Sequence, residues 1–379
     1  MERYIIALQR LGLKNEILIK LITQCTFTDI EQIFIDTKNS IFYTRIEFAS
    51  LSTVCDDIEN LNVALDYADK IIDANQKLDI KTAIYGQSNY PCNLQKIKNP
   101  PILLYYKGAD ITERYSKAIA CVGTRRPTKL SYNIINYLIP QLVEEGYAVI
   151  SGLALGSDRL AHIACLMSRG NTIAVLAHGL DQISPKKNKG IAEAILNNGG
   201  TLVSEYPVEV EPENFRYINR NRIIVGLSKG IIVSECALKS GTMHSVEFGM
   251  EQHKPIFCTD PGECVLEEQE GIKYLLKKEQ AIKIPNGRAY NIIVNKTGYV
   301  CQSEKVSIDY IEEIYIKSLL FNIWDNKKIK NQIISNKNIL IKNLLTDNIC
   351  QEMVLDSDKN KKDFLDELLN ICIKNRITE

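Results

Sequence analysis

Residues 118–126 read AIACVGTRR, five small or β-branched apolar residues that stop at a glycine and pass into two arginines. A run this short cannot make a helix of useful length, and its Ile and Val content suits a strand buried on both faces. Five further runs follow the same form: Tyr147–Ile150, Thr172–Leu176, Thr201–Ser204, Gly230–Ser234 and Pro255–Cys258. Helical patterns and Gly-containing polar loops alternate with them. That alternation predicts an α/β fold, one doubly wound parallel sheet from about Lys117 to Gly262.

Parallel strands need crossover connections, so the loops that follow the strands emerge along one edge, where open α/β sheets bind ligands. Those loops are Gly123-Thr124-Arg125-Arg126, Ser151-Gly152 through Ser157-Asp158, His178-Gly179 through Lys189, Glu205 through Asn221, and Ser240-Gly241-Thr242. They direct Arg125, Arg126, Lys129, Lys186, Lys187, Lys189, Arg216, Arg220 and Arg222 towards that edge, with few acids among them. Glycines there free backbone amides at helix starts, and helix N-termini favour anions, so phosphate is the expected ligand chemistry.

Within this edge each signal carries a plainer alternative. Arg125 and Arg126 precede a helix expected from about Leu130, and they either meet a phosphate or stand exposed. Pro140 within that pattern predicts a kink or a break. Asp158 reads as the cap of a helix Arg159–Met167 with a satisfied His162 on the same face, in preference to an acid/base pair. Lys186, Lys187 and Lys189 lie before a helix Ile191–Leu196, and they either reach phosphates or form a solvated turn. Phe215 and Tyr217 beside Arg216, Arg220 and Arg222 suit unpaired bases, which stack on rings while guanidinium groups hold phosphates; otherwise the aromatics are core and one arginine is exposed. Arg220, Asn221 and Arg222 are expected to open the next helix. Ser240-Gly241-Thr242 reads as an anion cradle, an N-cap, or both.

The whole chain has 379 residues, 45% of them hydrophobic, enough for two or three domains. Residues 1–80 show helical spacing and read as a small N-terminal domain, most simply a structural cap. Residues 81–285 hold the sheet, with Ile102–Tyr106 expected to add a strand at its edge. Residues 286–379 are rich in Asn, Ile and Lys, with helical patterns near Ile308–Trp324 and Lys361–Lys374 and no legible chemistry. Lys plus Arg and Asp plus Glu number 46 each, so affinity for nucleic acid must come from a focused patch. The N-terminus lacks a charged-then-apolar leader and no apolar stretch approaches a membrane span, which predicts a cytoplasmic protein with no membrane partner. Eleven scattered cysteines without CxxC pairing read as reduced core residues, with no metal site expected. Neither GxGxxG nor GxxxxGK[ST] occurs; Gly152 and Gly156 are spaced GxxxG, which removes the usual support for NAD and P-loop sites.

Taken together, these motifs resemble the DprA/Smf family. Its G-S-R after the first strand appears as Gly123-Thr124-Arg125, and its S-G-x-A-x-G-x-D-x-x-A-H as Ser151-Gly152 through Asp158 to Ala161-His162. Gly179-Leu180-Asp181, Pro185 and Asn188 match the G-L-D turn. Asn214-Phe215 with Arg220 to Ser228 match N-F…R-N-R-I-I-x-G-L-S, and Ser240-Gly241-Thr242 match S-G-[ST]. His178 and Ser184 stand where the family has a small residue and a Tyr, and the C-terminal region does not resemble its winged helix. The resemblance implies an extended Rossmann-like domain behind a helical N-terminal domain of SAM or helix-hairpin-helix type. It also implies a basic pocket for DNA phosphates at Arg125 and Lys186, a homodimer through the same domain, and delivery of single-stranded DNA to the RecA recombinase in natural transformation.

Two other functions compete. Phosphoribohydrolases of the cytokinin-activating type carry P-G-G-x-G-T-x-x-E at the corresponding strand. Here the position three after Thr242 is Ser245, and Glu247 stands about 200° around the helix from the place of the missing acid. A nucleotide-sensing module would use the same pocket for a small phosphate ligand. The expected function is a non-catalytic single-stranded DNA-binding protein without a cofactor, in which Arg125, Arg126 and the Lys186–Lys189 turn hold phosphates while Phe215 or Tyr217 stacks a base.

Overall fold

The computed structural model describes residues 1–35, 57–111, 116–262 and 265–284, so the expectations for the 286–379 region lie outside the described residues. In chain order the elements are α1 (Glu2–Arg10), α2 (Asn15–Gln24), α3 (Phe27–Ile35), α4 (Ile58–Lys77), β1 (Lys81–Ile84), α5 (Cys92–Gln95), β2 (Leu103–Gly108) and β3 (Ala118–Val122). There follow α6 (Lys129–Glu144), β4 (Ala148–Ser151), α7 (Ser157–Met167), β5 (Thr172–Leu176), α8 (Lys189–Asn197), β6 (Thr201–Ser204) and α9 (Asn214–Leu227). The last are β7 (Ile231–Val233), α10 (Gly241–Glu251), β8 (Ile256–Thr259), α11 (Glu270–Lys277) and β9 (Ile282–Ile284).

All nine strands form one sheet in the order β1-β2-β6-β5-β4-β3-β7-β8-β9. From β6 to β9 every pairing is parallel, and β2 and β1 add antiparallel at one side. The doubly wound α/β expectation holds, and the order supplies what the sequence did not state. Strand order runs 6-5-4-3 in one direction and 7-8-9 in the other, so the reversal falls between β3 and β7. Crossover helices on either side of a reversal leave opposite faces of the sheet, and a crevice opens at the carboxyl ends of the two strands.

Alternating strand residues divide between the two faces. Ile119, Cys121 and Val149 pack under α6 and α7, whereas Ala120, Val122 and Ile150 share the core under α9, α10 and α11. The N-terminal helices pack directly against the sheet. Ile5, Leu8, Leu18 and Leu21 sit in the same apolar cluster as Tyr105 of β2, Leu176 of β5 and Ile195 of α8. Each of these four is fully buried, which favours the folded state by about 1.5–3 kcal/mol per side chain relative to exposure.

Several local expectations change. The apolar run at 102–106 is not the edge strand: β1 pairs outside it, with Lys81 opposite Tyr106. Helix α6 continues through Pro140 for all 16 residues, from a start at which the Thr128 hydroxyl accepts from the Leu130 amide. Helix α9 begins at Asn214, not near Arg220. Helix α7 begins at Ser157 behind Gly156, and Asp158 does not cap it. The Asp158 carboxylate instead accepts from the amides of Gly152 at 3.0 Å and Ala154 at 3.4 Å, stapling the loop before the helix.

His162 is wholly buried. Its Nδ1 lies 2.7 Å from the Thr172 hydroxyl, which itself donates to the Val149 carbonyl, so the ring proton sits on Nδ1. The opposite nitrogen has no partner among the described residues. Burial, assisted by the positive charge of Arg220, pushes the imidazole down to about 3. Its folded pKa therefore lies below its unfolded value, and the unfolded chain takes up the proton first as pH falls from 6.5. Stability is expected to drop by roughly 1.4 kcal/mol per pH unit through that window on account of this residue. Urea midpoints between pH 7 and pH 4.5 check it: His162→Gln loses less stability on acidification than the parent, against an opposite-signed contribution common to both from buried Asp158, whose pKa is raised chiefly by burial.

Among the described residues all six cysteines are free, and no helix is long and apolar enough to cross a membrane.

Candidate functional site

The crevice at the β3/β7 reversal is a cavity of about 430 Å³. Three walls meet in it. The first is the loop after β3, Gly123 to Arg126; the second is Tyr217, Ile218, Asn221 and Ile224 on one face of α9; the third is Ala237 with Ser240, Gly241, Thr242 and Ser245 at the start of α10. Helix spacing selects the second wall, since 217, 221 and 224 fall at i, i+4 and i+7. The third wall aims the N-terminal end of an 11-residue helix at the cavity, which favours an anion there.

Beneath the cavity the backbone is tightly tied. The Thr242 hydroxyl donates to the Gly123 carbonyl at 3.0 Å, and the Ser157 amide and hydroxyl both donate to the Thr124 carbonyl, at 3.0 and 3.1 Å. Arg220 is buried against Gly152: its Nη1 donates to the Gly152 carbonyl at 2.7 Å and also to the Val175 carbonyl. A Cβ on Gly152 would meet that guanidinium at 2.3 Å, so only glycine admits the arginine. Burial lowers the Arg220 pKa, opposed by the charge of Asp158, and a guanidinium remains cationic throughout the accessible pH range. Asn221 joins two walls, accepting from Arg220 Nε at 3.2 Å and donating to the Gly241 carbonyl at 3.3 Å.

The cations are sorted differently from the sequence expectation. Arg125 and Arg126 are exposed, line the cavity, and form no ion pair among the described residues. Tyr217 underlies the first of them, with Arg125 Cζ 5.7 Å from its ring centroid, and its hydroxyl lies 3.2 Å from the Ser184 hydroxyl. Lys186, Lys187 and Lys189 are exposed but flank the cavity without lining it. Between them Asn188 donates to the carbonyls of Leu153 and Ala154, holding the lysine turn against the loop whose Ala154 faces the cavity. Lys189 stands 3.9 Å from Glu193.

Three expected contributors face elsewhere. Arg222 is buried and bonded to Glu205 at 2.5 Å and to the Asn99 carbonyl at 2.9 Å, a role in joining α9 to the 99–101 segment. Arg216 pairs with Glu213 at 2.8 Å. Phe215 is 52% exposed, does not line the cavity, and lies under Arg216 at 5.1 Å. Ser151 and Gly152 do not line the cavity but support it from below: the Ser151 hydroxyl donates to the Cys121 carbonyl at 2.6 Å, and the Gly152 carbonyl holds Arg220, which with Asp158 and Ala154 does line it. The apolar lining from Ile218 and Ile224 was not anticipated, because it depends on which turn of α9 faces the switch point; Ala237 joins it from the segment after β7. At the position of the phosphoribohydrolase acid the cavity presents the Ser245 hydroxyl, while exposed Glu247 pairs with His244.

Comparison with known proteins gives a consistent picture. The family model described as DNA recombination-mediator protein A matches residues 81–292. The DNA processing protein DprA of Bacillus subtilis is 34% identical over 193 residues, which are 51% of this chain and 64% of that protein. The protein Smf of a Synechocystis species is 39% identical over 173 residues, 45% of this chain and 43% of its own length. The chain thus spans less than two thirds of either relative. Among solved structures, DprA of Streptococcus pneumoniae is similar with a TM-score of 0.61 and 25% identity, covering 80% of this chain and 99% of that one. DNA processing protein A of Helicobacter pylori, described for its single-stranded DNA binding mode, has a TM-score of 0.50 and 31% identity, covering 57% of this chain and 94% of that one.

Proposed function

The chain belongs to the DNA recombination-mediator protein A family, and on that premise we propose that it binds single-stranded DNA in the cavity at the β3/β7 reversal without chemical turnover. One observation carries the reading: two exposed arginines without acidic partners among the described residues stand over a cavity that the α10 N-terminus also faces. Arg125 and Arg126 take backbone phosphates, assisted by the amides and hydroxyls of Ser240 to Thr242. Ile218 and Ile224 supply apolar surface against which an unpaired base lies, and Tyr217 acts by holding Arg125. The Lys186–Lys189 turn extends the positive surface to neighbouring phosphates. The Helicobacter relative's single-stranded DNA binding mode supports the ligand class. A serine at 245 in place of a carboxylic acid supports a binding site over a hydrolase.

Family membership extends the proposal to a recombination mediator that acts in the cytoplasm, pairs with a second copy of itself and passes the strand to a RecA recombinase during transformation. The first test is binding of a labelled oligonucleotide, single-stranded against duplex, across a salt series. Affinity for the single strand is expected to exceed that for the duplex, with log K falling linearly in log salt by about 0.7 per phosphate held. Absence of binding at low salt, together with tight binding of a mononucleotide, would replace this reading with the nucleotide sensor.

A further inference from the structure

Glu235 follows β7 and is fully buried. Its carboxylate accepts four hydrogen bonds. Oε2 takes the Thr128 amide at 2.8 Å and the Ser131 hydroxyl at 2.6 Å, and Oε1 takes the Thr128 hydroxyl at 2.5 Å and Gln269 Nε2 at 2.7 Å. Its backbone carbonyl takes the Thr124 amide at 2.8 Å. One residue therefore closes both ends of the turn 124–128, the main chain holding the start and the side chain the finish. Arg125 and Arg126 lie between those two points.

From this geometry we propose that Glu235 is a positioning residue for the arginine turn, fixing Arg125 and Arg126 over the cavity without touching the ligand. The inference rests on the single-stranded DNA reading of that cavity. A buried carboxylate is costly unless its lone pairs are filled, and here they are filled by donors from the turn, from the first turn of α6 and from Gln269. The start of α6 also favours the negative charge. A neutral amide has one acceptor oxygen and would set its own N–H groups against donors. Glu235 in addition leads directly into the segment that carries Ala237 and Ser240 to Thr242, so two walls of the cavity are referred to one fixed point.

Glu235→Gln separates positioning from charge by the sign of its effect. Removing a negative charge near an anion site tightens binding if only through-space electrostatics operate. Loss of the clip weakens it, here by roughly 10-fold or more for a single-stranded oligonucleotide. The exchange of Glu235→Gln with Gln269→Glu restores one carboxylate and one amide across the 2.7 Å contact, and is expected to recover most of the lost affinity. Hydrogen exchange at the Thr128 amide should accelerate in the single variant and slow again in the double. Unchanged or tighter binding by Glu235→Gln overturns the proposal, and so does a double variant no better than the single. Where Glu235→Gln does not fold, Thr128→Val removes one tie and is judged by the same binding: weaker supports the clip, unchanged overturns it. If the parent binds no single strand, the DNA reading fails, while exchange at Thr128 still decides the clip, faster exchange supporting it and unchanged exchange overturning it.

Discussion

Arg125→Ala combined with Arg126→Ala is expected to weaken single-strand binding by roughly 100-fold near 0.1 M salt, on the basis of two lost charge-assisted contacts. The slope of log K against log salt should become shallower by about 1.4, two phosphates at 0.7 each. Folding stability should stay within about 0.5 kcal/mol of the parent, because both side chains are exposed and neither forms an ion pair among the described residues. Lys186→Ala with Lys187→Ala should have a smaller effect on affinity, since those side chains flank the cavity. A salt titration by fluorescence anisotropy, read beside urea denaturation of the same variants, checks all four expectations. Binding by the arginine double variant equal to the parent would remove the turn from the site.

Arg125 and Arg126 are exposed whereas Arg220 and Arg222 are buried, a difference that local sequence does not carry. Strands with continuous apolar runs were legible to the residue: Ala118–Val122, Thr172–Leu176 and Thr201–Ser204 stand where their composition places them. Strand β1 was not, because four residues of which only Ala83 and Ile84 are buried give no run to read. The ligand edge followed from parallel connectivity, whereas the crevice between β3 and β7 required the strand order, and no local pattern encodes that. Arginine density drew attention to residues 216–222, but density does not tell a cation facing ligand from one inside the fold. Helical phase does. With α9 starting at Asn214, Tyr217 and Asn221 share a face, Arg222 lies about 100° beyond Asn221 and Phe215 about 200° from Tyr217. Reading the segment as a loop up to Asn221 discarded that phase. Glu235 carries no local signal in the sequence, since the four donors that define it come from positions 128, 131 and 269.

Gly156→Ala is expected to cost roughly 3 kcal/mol of stability and to abolish measurable single-strand binding, through backbone strain and overpacking together. Gly156 has φ +79° and ψ −128°, outside the regions open to a residue with a side chain. An added Cβ would stand 2.3 Å from the Thr124 carbonyl oxygen, 2.6 Å from the Arg125 carbonyl carbon and 2.7 Å from the Arg125 Cα. All three are backbone atoms, so no rotamer change relieves the overlap and the arginine turn itself must move. Displacing it strains the Ser157 bonds to the Thr124 carbonyl on one side and the Glu235 clip on the other. Gly241→Ala is the matched control: it stands in the same cavity lining, yet its added Cβ meets nothing within 4 Å, and stability should change by no more than about 0.5 kcal/mol. Urea denaturation of the two variants distinguishes a glycine needed for the approach of two loops from one that merely opens a helix. A Gly156→Ala protein as stable as the parent and equally able to bind would show that the turn has freedom to move, and would weaken with it the case that the arginines are held in place by their surroundings.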